Sequence, residues 1–286
     1  MNVADRSSQE LWVCHLGVVP YRDALAIQER IRARRQADEV PDTLLLLEHP
    51  PVYTRGRRSG AEDLPFGEDF YRAKGIDVVA TDRGGKLTYH GPGQLVGYPI
   101  VRIDDVHRYL RTMEGAIISA LAEEGIAARS RHDEGIDYTG VWVDDRKIAS
   151  IGVHVSRGVT THGFAVNVRN DLEPFSWVVA CGLPNVTMTS IAGERDTDET
   201  RTPLPDPASA LGPPPALDPV PANPGTASTS ACRPAFSCFR KRVAYAFCQA
   251  HGRRQRLVSP ARIGIDTANA APIKTISLPP AEPVPA

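Results

Sequence analysis

Residues 139–168 read TGVWVDDRKIASIGVHVSRGVTTHGFAVNV, and this stretch decides the fold class. It holds three apolar runs of strand length, at 140–143, 147–155 and 159–168. The pairs Asp144-Asp145 and Arg157-Gly158 separate these runs, as tight turns do between antiparallel strands. Hairpins in a chain that also carries helices favour an α+β fold, a mixed sheet flanked by helices, over a doubly wound parallel sheet.

Upstream, the same reasoning predicts strands at 11–16, 43–47, 76–81 and 95–101. The second of these is a continuous apolar run, which is typical of a strand buried on both faces.

Two helices are predicted before the hairpins. The first covers 21–35, and the second begins at an Asp104 or Asp105 cap, runs to Glu124 and is ended by Gly125. Apolar residues recur in both at helical spacing. The residues expected to face inward are Ala24, Ile27, Gln28 and Ile31 in the first helix, and Val106, Tyr109, Leu110, Met113, Ile117, Ala120 and Leu121 in the second.

Proline marks the boundaries of what we expect to be a single domain, residues 8–258, with its core at 8–194. Of the 25 prolines, 9 precede residue 200 and 16 follow it. Residues 195–231 bury too little apolar surface to offset the entropy of ordering, so we expect a disordered insertion. We expect a helix at about 234–250 that docks back on the core, and a disordered tail at 259–286.

Composition excludes several classes of protein. The net charge is -1, which argues against a nucleic-acid partner. The five cysteines are odd in number and include no C-x-x-C pair, which argues against a disulfide framework or zinc site and for a reducing compartment. Neither a secretion signal nor a membrane-spanning apolar run is present, so we expect a cytoplasmic protein without membrane contact.

The stretch 83–94, RGGKLTYHGPGQ, contains four glycines and a proline. It is predicted to be a structured loop because it cannot continue as a helix or a strand. Such a loop can wrap an extended ligand with its backbone, and an ordinary long turn between strands is the alternative. A dinucleotide-binding fingerprint does not fit its spacing.

Cys181 and Lys147 could carry chemistry together. Cys181 lies at the end of an element, where reactive groups are common, and an inert buried thiol is the alternative. Lys147 precedes an apolar run, and an inward-pointing amine would be a usable base because lost hydration favours its neutral form. A solvated turn lysine is an equally weighted alternative. A cysteine with an amine base is the minimal equipment for moving an acyl group through a thioester.

Other polar residues are less informative. His162, Gly163 and the 150–152 turn could line the same site, although glycines there could simply allow close strand packing. We expect no metal, because the remaining histidines show no ligand spacing; these are His15, His49, His107, His132, His154 and His251. Three cysteines fit buried apolar positions, namely Cys14, Cys238 and Cys248.

Taken in order, these blocks resemble the octanoyltransferases of lipoate biosynthesis. The likeness runs from about 10 to 194 and rests on the blocks at 49–54, 83–94, 140–142, 147–152, 162–167 and 181–183. The resemblance implies the fold of the biotin and lipoate protein ligases. It implies transfer of octanoyl from octanoyl-acyl carrier protein to a lysine of lipoyl domains, in 2-oxoacid dehydrogenase E2 subunits and glycine-cleavage H protein.

The resemblance also implies roles for residues. Cys181 would hold the acyl group as a thioester and Lys147 would activate it, with neither ATP nor a metal, in a protein that we expect to be a monomer. The residues that match the family's acyl-substrate contacts are Arg83, Gly84, Gly85, Lys86, Leu87, Thr88, Tyr89, His90, Ser150, Ile151, Gly152, Gly163, Phe164 and Ala165.

Three alternatives remain. An ATP-dependent lipoate or biotin ligase shares the implied fold, and residues 54–60 superficially resemble the Arg/Gly adenylate loop of biotin ligases. A papain-type hydrolase would need a histidine base and a cysteine near the start of the mature chain. A non-catalytic acyl-binding module would leave Cys181 inert.

Overall fold

The computed structural model describes residues 9–180, 186–199 and 236–265. Its strands are β1 (Glu10–Val18), β2 (Thr43–Glu48), β3 (Val52–Arg55), β4 (Asp77–Ala80), β5 (Leu87–His90), β6 (Gln94–Ile100), β7 (Arg129–Ser130), β8 (Gly140–Val143), β9 (Arg146–Ser156), β10 (Val159–Asn167), β11 (Thr187–Met188) and β12 (Arg254–Leu257). Its α-helices are α1 (Tyr21–Gln36), α2 (Glu68–Ala73), α3 (Val106–Ala122), α4 (Glu173–Ser176), α5 (Ile191–Glu199) and α6 (Phe236–Ala250).

Two sheets organise the described residues. The larger runs in the order β12-β1-β2-β6-β10-β9-β8-β7, with β11 paired to β9, and the smaller runs β4-β3-β5. Strand β1 is parallel to β2 and β12, whereas β6, β10, β9 and β8 are antiparallel neighbours. The predicted mixed sheet flanked by helices is confirmed.

The large sheet is covered on both faces. Leu44 and Leu46 belong to a cluster that includes α3 and α6, while Leu45 and Leu47 belong to a cluster on the α1 face. Successive side chains of a strand point to opposite faces, so an unbroken leucine run is what a doubly covered strand requires. The prediction that this strand is buried on both faces is confirmed.

The hairpins that decided the fold class are present. Strand β8 pairs with β9 and β9 pairs with β10, both antiparallel. Asp144 and Arg157 adopt φ of 50° and 47°, the left-handed conformation that short hairpin turns need. Asp105 caps α3 by accepting from the backbone N–H groups of His107 and Arg108.

Three local predictions were wrong. Residues 87–90, inside the predicted loop, form strand β5, because the separate strand β3 pairs with them along Val52–Arg55. Val106 is exposed at the first residue of α3. Cys238 is exposed on α6 although it lies within an apolar pattern, whereas Cys14 and Cys248 are buried.

The ordered chain also extends past the expected boundaries. Helix α5 continues to Glu199, into the stretch assigned to the insertion, and residues 260–263 form a 3₁₀ turn with Ile263 buried against the α1 cluster. Helix α6 packs on α3, where the sequence places a docking helix. The remainder of the predicted insertion and of the tail lies outside the described residues.

Candidate active site

A cleft lies between strands β9 and β10 of the large sheet and the loop and strand at 81–90. It encloses about 600 Å³ of empty space, counted out to its open mouth. Its lining residues are Tyr21, Arg58, Arg83, Gly85, Lys86, Leu87, Thr88, His90, Tyr98, Ile136, Asp137, Thr139, Lys147, Ser150, Ile151, Gly152, His162, Gly163, Phe164 and Ala165.

The cleft is lined by Lys147 and by all the expected substrate contacts except Gly84 and Tyr89. Gly84 faces strand β9, where its N–H donates to the Val153 carbonyl at 2.9 Å. The ring of Tyr89 turns away and packs against Tyr53 and Phe175. Residues from three separate stretches of sequence therefore meet around one space.

Lys147 points inward and is 1% exposed. Its ammonium lies 5.1 Å from the centroid of the Trp142 ring, whose π face attracts a cation. Within the described ranges no carboxylate comes within ion-pair distance of it. Room for the side chain comes from Gly140 at φ 140°, because a Cβ there would lie 2.7 Å from Lys147 Cε.

Arg83 holds the glycine-rich loop to the small sheet. Its guanidinium donates to the Thr54 carbonyl at 2.5 Å and to the Thr54 hydroxyl at 2.8 Å. The loop also lies flat on strand β9, since a Cβ on Gly152 would come within 2.8 Å of the Gly84 carbonyl oxygen. Glycine at 152 is thus required by close backbone packing beside the cleft.

Three histidines and two tyrosines form an aromatic cluster at one end of the cleft: Tyr21, His49, His90, Tyr98 and His162. Hydrogen bonds fix their tautomers. His49 Nδ1 donates to the Val19 carbonyl at 2.7 Å, so Nε2 accepts from the Tyr98 hydroxyl at 2.7 Å. His162 Nε2 donates to Asp82 at 2.7 Å, which leaves Nδ1 as an acceptor 3.5 Å from the Tyr21 hydroxyl.

Burial keeps this cluster uncharged at neutral pH. It lowers the pKa of His49 to about 4 and the pKa of His90 well below its usual range. Burial also lowers the pKa of His162, although the Asp82 carboxylate opposes the shift. The hydrogen bond from His162 in turn holds the pKa of Asp82 at about 2. Burial raises the pKa of Tyr21 to about 12.

A chain of hydrogen bonds leads from the cleft to the segment after residue 185. His90 Nδ1 donates to the Gln94 side-chain oxygen at 2.7 Å, and the Gln94 amide donates to Asn167 at 3.0 Å. Asn167 donates to the Thr189 carbonyl at 3.0 Å, while the Thr189 N–H donates to the Lys147 carbonyl at 3.0 Å. The backbone of Lys147 and the His90 ring therefore share one network.

Cys181 lies outside the described residues, but both flanks of 181–185 are placed. Ala180 is buried in the cluster that contains Tyr89 and Phe175. On the other side, Met188 pairs with Lys147 where β11 joins β9. Ala180 therefore lies in the cluster that holds the Tyr89 ring, and Met188 lies beside Lys147.

Sequence reasoning missed several residues that line or support the cleft. Tyr21, Tyr98 and Asp82 carry no motif, and His49 had no role assigned. Arg58 and Asp137 face each other at the mouth with 2.8 Å between Nη1 and Oδ1. Alternation along β6 could have placed Tyr98 on the sheet face opposite α3. Only the tertiary structure shows that Tyr98 hydrogen-bonds to His49.

Two absences hold for the described residues only. No three histidine, cysteine, aspartate or glutamate side chains there converge as metal ligands would. No helix there is long and apolar enough to cross a membrane.

Comparison with known proteins gives the family. Residues 20–202, more than half of the chain, match the lipoyl protein ligase A/B catalytic domain. The octanoyltransferase of Rubrobacter xylanophilus is 49% identical over 182 residues, covering 62% of this chain and 80% of the relative. That of Corynebacterium efficiens is 41% identical over 217 residues, covering 71% and 82%.

Solved structures agree on the fold. Lipoate-protein ligase A bound with ATP superposes with a TM-score of 0.63 at 17% identity, covering 87% of this chain and 89% of that one. The bipartite lipoate protein ligase of Thermoplasma acidophilum gives 0.56 at 17% identity, covering 88% and 87%. The expected ligase-like fold is confirmed. The chain therefore belongs to the lipoyl protein ligase A/B catalytic-domain family, and within it to the octanoyltransferases, which are acyltransferase enzymes.

Proposed function

We propose that this chain transfers an octanoyl group from octanoyl-acyl carrier protein to a specific lysine of a lipoyl domain, through a thioester on Cys181. The acceptors would be the lipoyl domains of 2-oxoacid dehydrogenase E2 subunits and the glycine-cleavage H protein. The observation that carries the proposal is a lysine buried in a cleft built from three separated motifs, in a chain whose relatives are octanoyltransferases.

In the first step the Cys181 thiolate attacks the carbonyl carbon of the donor thioester. A new C–S bond forms, the donor C–S bond breaks, and the donor leaves as a thiol that takes up one proton. A cationic Lys147 beside the sulfur would favour the thiolate and supply that proton.

In the second step the acceptor lysine attacks the Cys181 thioester as a neutral amine. A C–N bond forms, the C–S bond breaks, and the proton that the amine loses passes to Lys147. The product is an amide, which is more stable than a thioester, so the reaction needs no ATP. We therefore propose that the enzyme uses neither ATP nor a metal.

Placement of the flanks supports Cys181 as the acyl carrier. Met188, seven residues after Cys181, pairs with Lys147, and Ala180 belongs to the buried apolar cluster that includes Leu87 and Tyr89 of strand β5. Seven residues extend at most about 25 Å. The chain length is thus compatible with a Cys181 sulfur close to Lys147.

The acyl chain would run along β9 and β10, away from Lys147. Gly152 and Gly163 face each other across these strands, with Ile151 opposite Phe164. The two glycines let neighbouring backbone pack closely behind this wall, since a Cβ would lie 2.8 Å from the Gly84 carbonyl oxygen at Gly152 and 2.3 Å from the Gly97 carbonyl oxygen at Gly163. Phe164 supplies apolar surface to the cleft. The uncharged aromatic cluster beyond them would face the far end of the chain.

An ATP-dependent ligase is the competing function, and the fold alone does not separate the two. Ligation would require ATP and survive a Cys181→Ser change, whereas transfer requires the thiol and no nucleotide. We also propose a cytoplasmic monomer, in keeping with the cysteine usage.

The test is intact-mass analysis after mixing with octanoyl-acyl carrier protein. One octanoyl adduct, labile to hydroxylamine, should appear on Cys181, and Lys147→Ala should slow its formation by about 10²- to 10⁴-fold. Cys238→Ser, which removes an exposed thiol, should leave the adduct intact. An adduct on another cysteine, or none at all, would falsify the assignment.

A further inference from the structure

The cleft carries an excess of positive charge. Among its lining residues in the described chain, four are cationic and Asp137 alone is acidic; the cations are Arg58, Arg83, Lys86 and Lys147. Lys147 is buried, and Arg83 is bound to Thr54. Arg58 and Lys86 remain as the cations nearest the mouth. A neutral alkyl chain requires neither of them, whereas a ligand with an anionic part can use both.

Backbone hydrogen bonds fix the position of Arg58 at the mouth of the cleft. Its N–H donates to the Gly85 carbonyl at 3.1 Å, and the Arg57 N–H donates to the Arg83 carbonyl at 3.0 Å. This part of the 54–60 segment is therefore bound to the glycine-rich loop that forms the cleft wall. Arg58 and Lys86 both line the cleft.

Asp137 contacts Arg58 from the opposite lip. The two groups lie 2.8 Å apart, and both side chains are about two-fifths exposed, at 42% and 39%. The Asp137 Oδ1 atom itself is buried and makes no directed hydrogen bond with any described residue. Solvent-exposed ion pairs contribute little to stability, whereas a phosphate can offer arginine two parallel hydrogen bonds. An incoming phosphate can therefore displace Asp137.

We propose that Arg58 and Lys86 bind the phosphodiester of the donor's phosphopantetheine arm, and that Asp137 occupies Arg58 until the donor arrives. The inference rests on the proposed function, in which the donor is a carrier-protein thioester. Binding the phosphate at the mouth extends the pantetheine arm inward and brings its thioester toward Lys147. Asp137 then turns to the solvent that it already contacts.

Three octanoyl donors separate the sources of negative charge: octanoyl-pantetheine, octanoyl-phosphopantetheine and octanoyl-acyl carrier protein. The measurement is kcat/KM for transfer to a lipoyl domain, and the ratio of the second donor to the first isolates the phosphate. This ratio should be about tenfold in the wild type and should fall close to one in Arg58→Gln, as expected for one lost charge-assisted contact. Asp137→Asn should raise the ratio, because it removes the competing carboxylate.

The matched control is Arg72→Gln, which removes an arginine from another exposed pair, with Glu68 on α2. It should leave the ratio unchanged, and thermal unfolding verifies that each variant is folded. A wild-type ratio near one, or a ratio that Arg58→Gln and Asp137→Asn leave unaltered, overturns the subsite.

If Arg58→Gln slows only the carrier-protein donor, Arg58 contacts acidic side chains of the carrier, and the phosphate assignment is wrong. Absence of transfer from all three donors would instead refute the proposed function, and the subsite with it. The two failures are therefore distinguishable.

Discussion

Gly140→Ala is expected to displace the Lys147 side chain, although residue 140 itself does not line the cleft. A Cβ at residue 140 would lie 2.5 Å from the Ala149 carbonyl oxygen and 2.7 Å from Lys147 Cε. The backbone oxygen is fixed in the β8–β9 pair, so the lysine side chain must move. In addition, φ at this position is 140°, which an alanine adopts only with strain of about 1–3 kcal/mol.

Overlap with the neighbouring atoms adds about 1–3 kcal/mol, as in other overpacked sites. We therefore expect a loss of about 2–6 kcal/mol in the free energy of unfolding, measured with urea. Octanoyl transfer by the folded fraction should fall about 100-fold, because a displacement of about 1 Å in a catalytic group has that effect.

Gly115→Ala is the matched control. Gly115 lies in helix α3, and a Cβ there meets no atom within 4 Å. This change should stabilise the protein by about 0.5–1 kcal/mol and leave transfer unchanged. The reasoning is refuted if Gly140→Ala unfolds at the wild-type urea concentration and transfers octanoyl at the wild-type rate.

Two further predictions concern stability. The pKa of His49 is about 4 in the fold and 6.5 in an ordinary environment. Its contribution to the free energy of unfolding is therefore complete above pH 6.5 and is lost as the pH falls toward 4. This loss in the free energy of unfolding is about 2 kcal/mol between pH 7 and 5. The free energy of unfolding in urea should therefore depend less on pH in His49→Gln than in the wild type. The same pH dependence in both proteins would contradict this prediction. Glu114, 1% exposed, accepts from the Gly140 N–H and pairs with Arg111 at 2.8 Å, so Glu114→Gln should destabilise by about 3 kcal/mol. Calorimetry measures this loss, and a change below about 1 kcal/mol would show that the buried carboxylate is dispensable.

Local patterns predicted the parts of the fold that local physics controls. The β8–β10 hairpins follow from apolar runs of strand length and from the turn residues between them, of which Asp144 and Arg157 adopt a left-handed backbone. Helix α3 follows from the Asp105 cap and apolar spacing. Strand β5 was missed because four glycines surround it and its partner β3 lies thirty residues upstream, so no local signal marks the pairing.

The sequence predicted many of the residues that line the cleft, but it did not predict how they are arranged. The glycine-rich stretch, residues 150–152 and residues 163–165 are predicted to form one site, and most of them line one cleft. The prediction of a turn at 150–152 is wrong, because these residues lie inside strand β9 and pair with β10. Arg58 and Asp137 could not be found this way, because their ion pair joins loops that are 79 residues apart.

The sequence by itself determined the class of fold, the identity of the chemical groups and the family that they resemble. Only the tertiary structure decided which way Lys147 points, because a solvated turn lysine and a buried lysine have the same local pattern. Its burial depends on the missing side chain of Gly140 and on the Trp142 ring beside it. A side chain is buried by neighbours that sheet pairing brings together. The residues next to it in the sequence therefore do not predict whether it is buried.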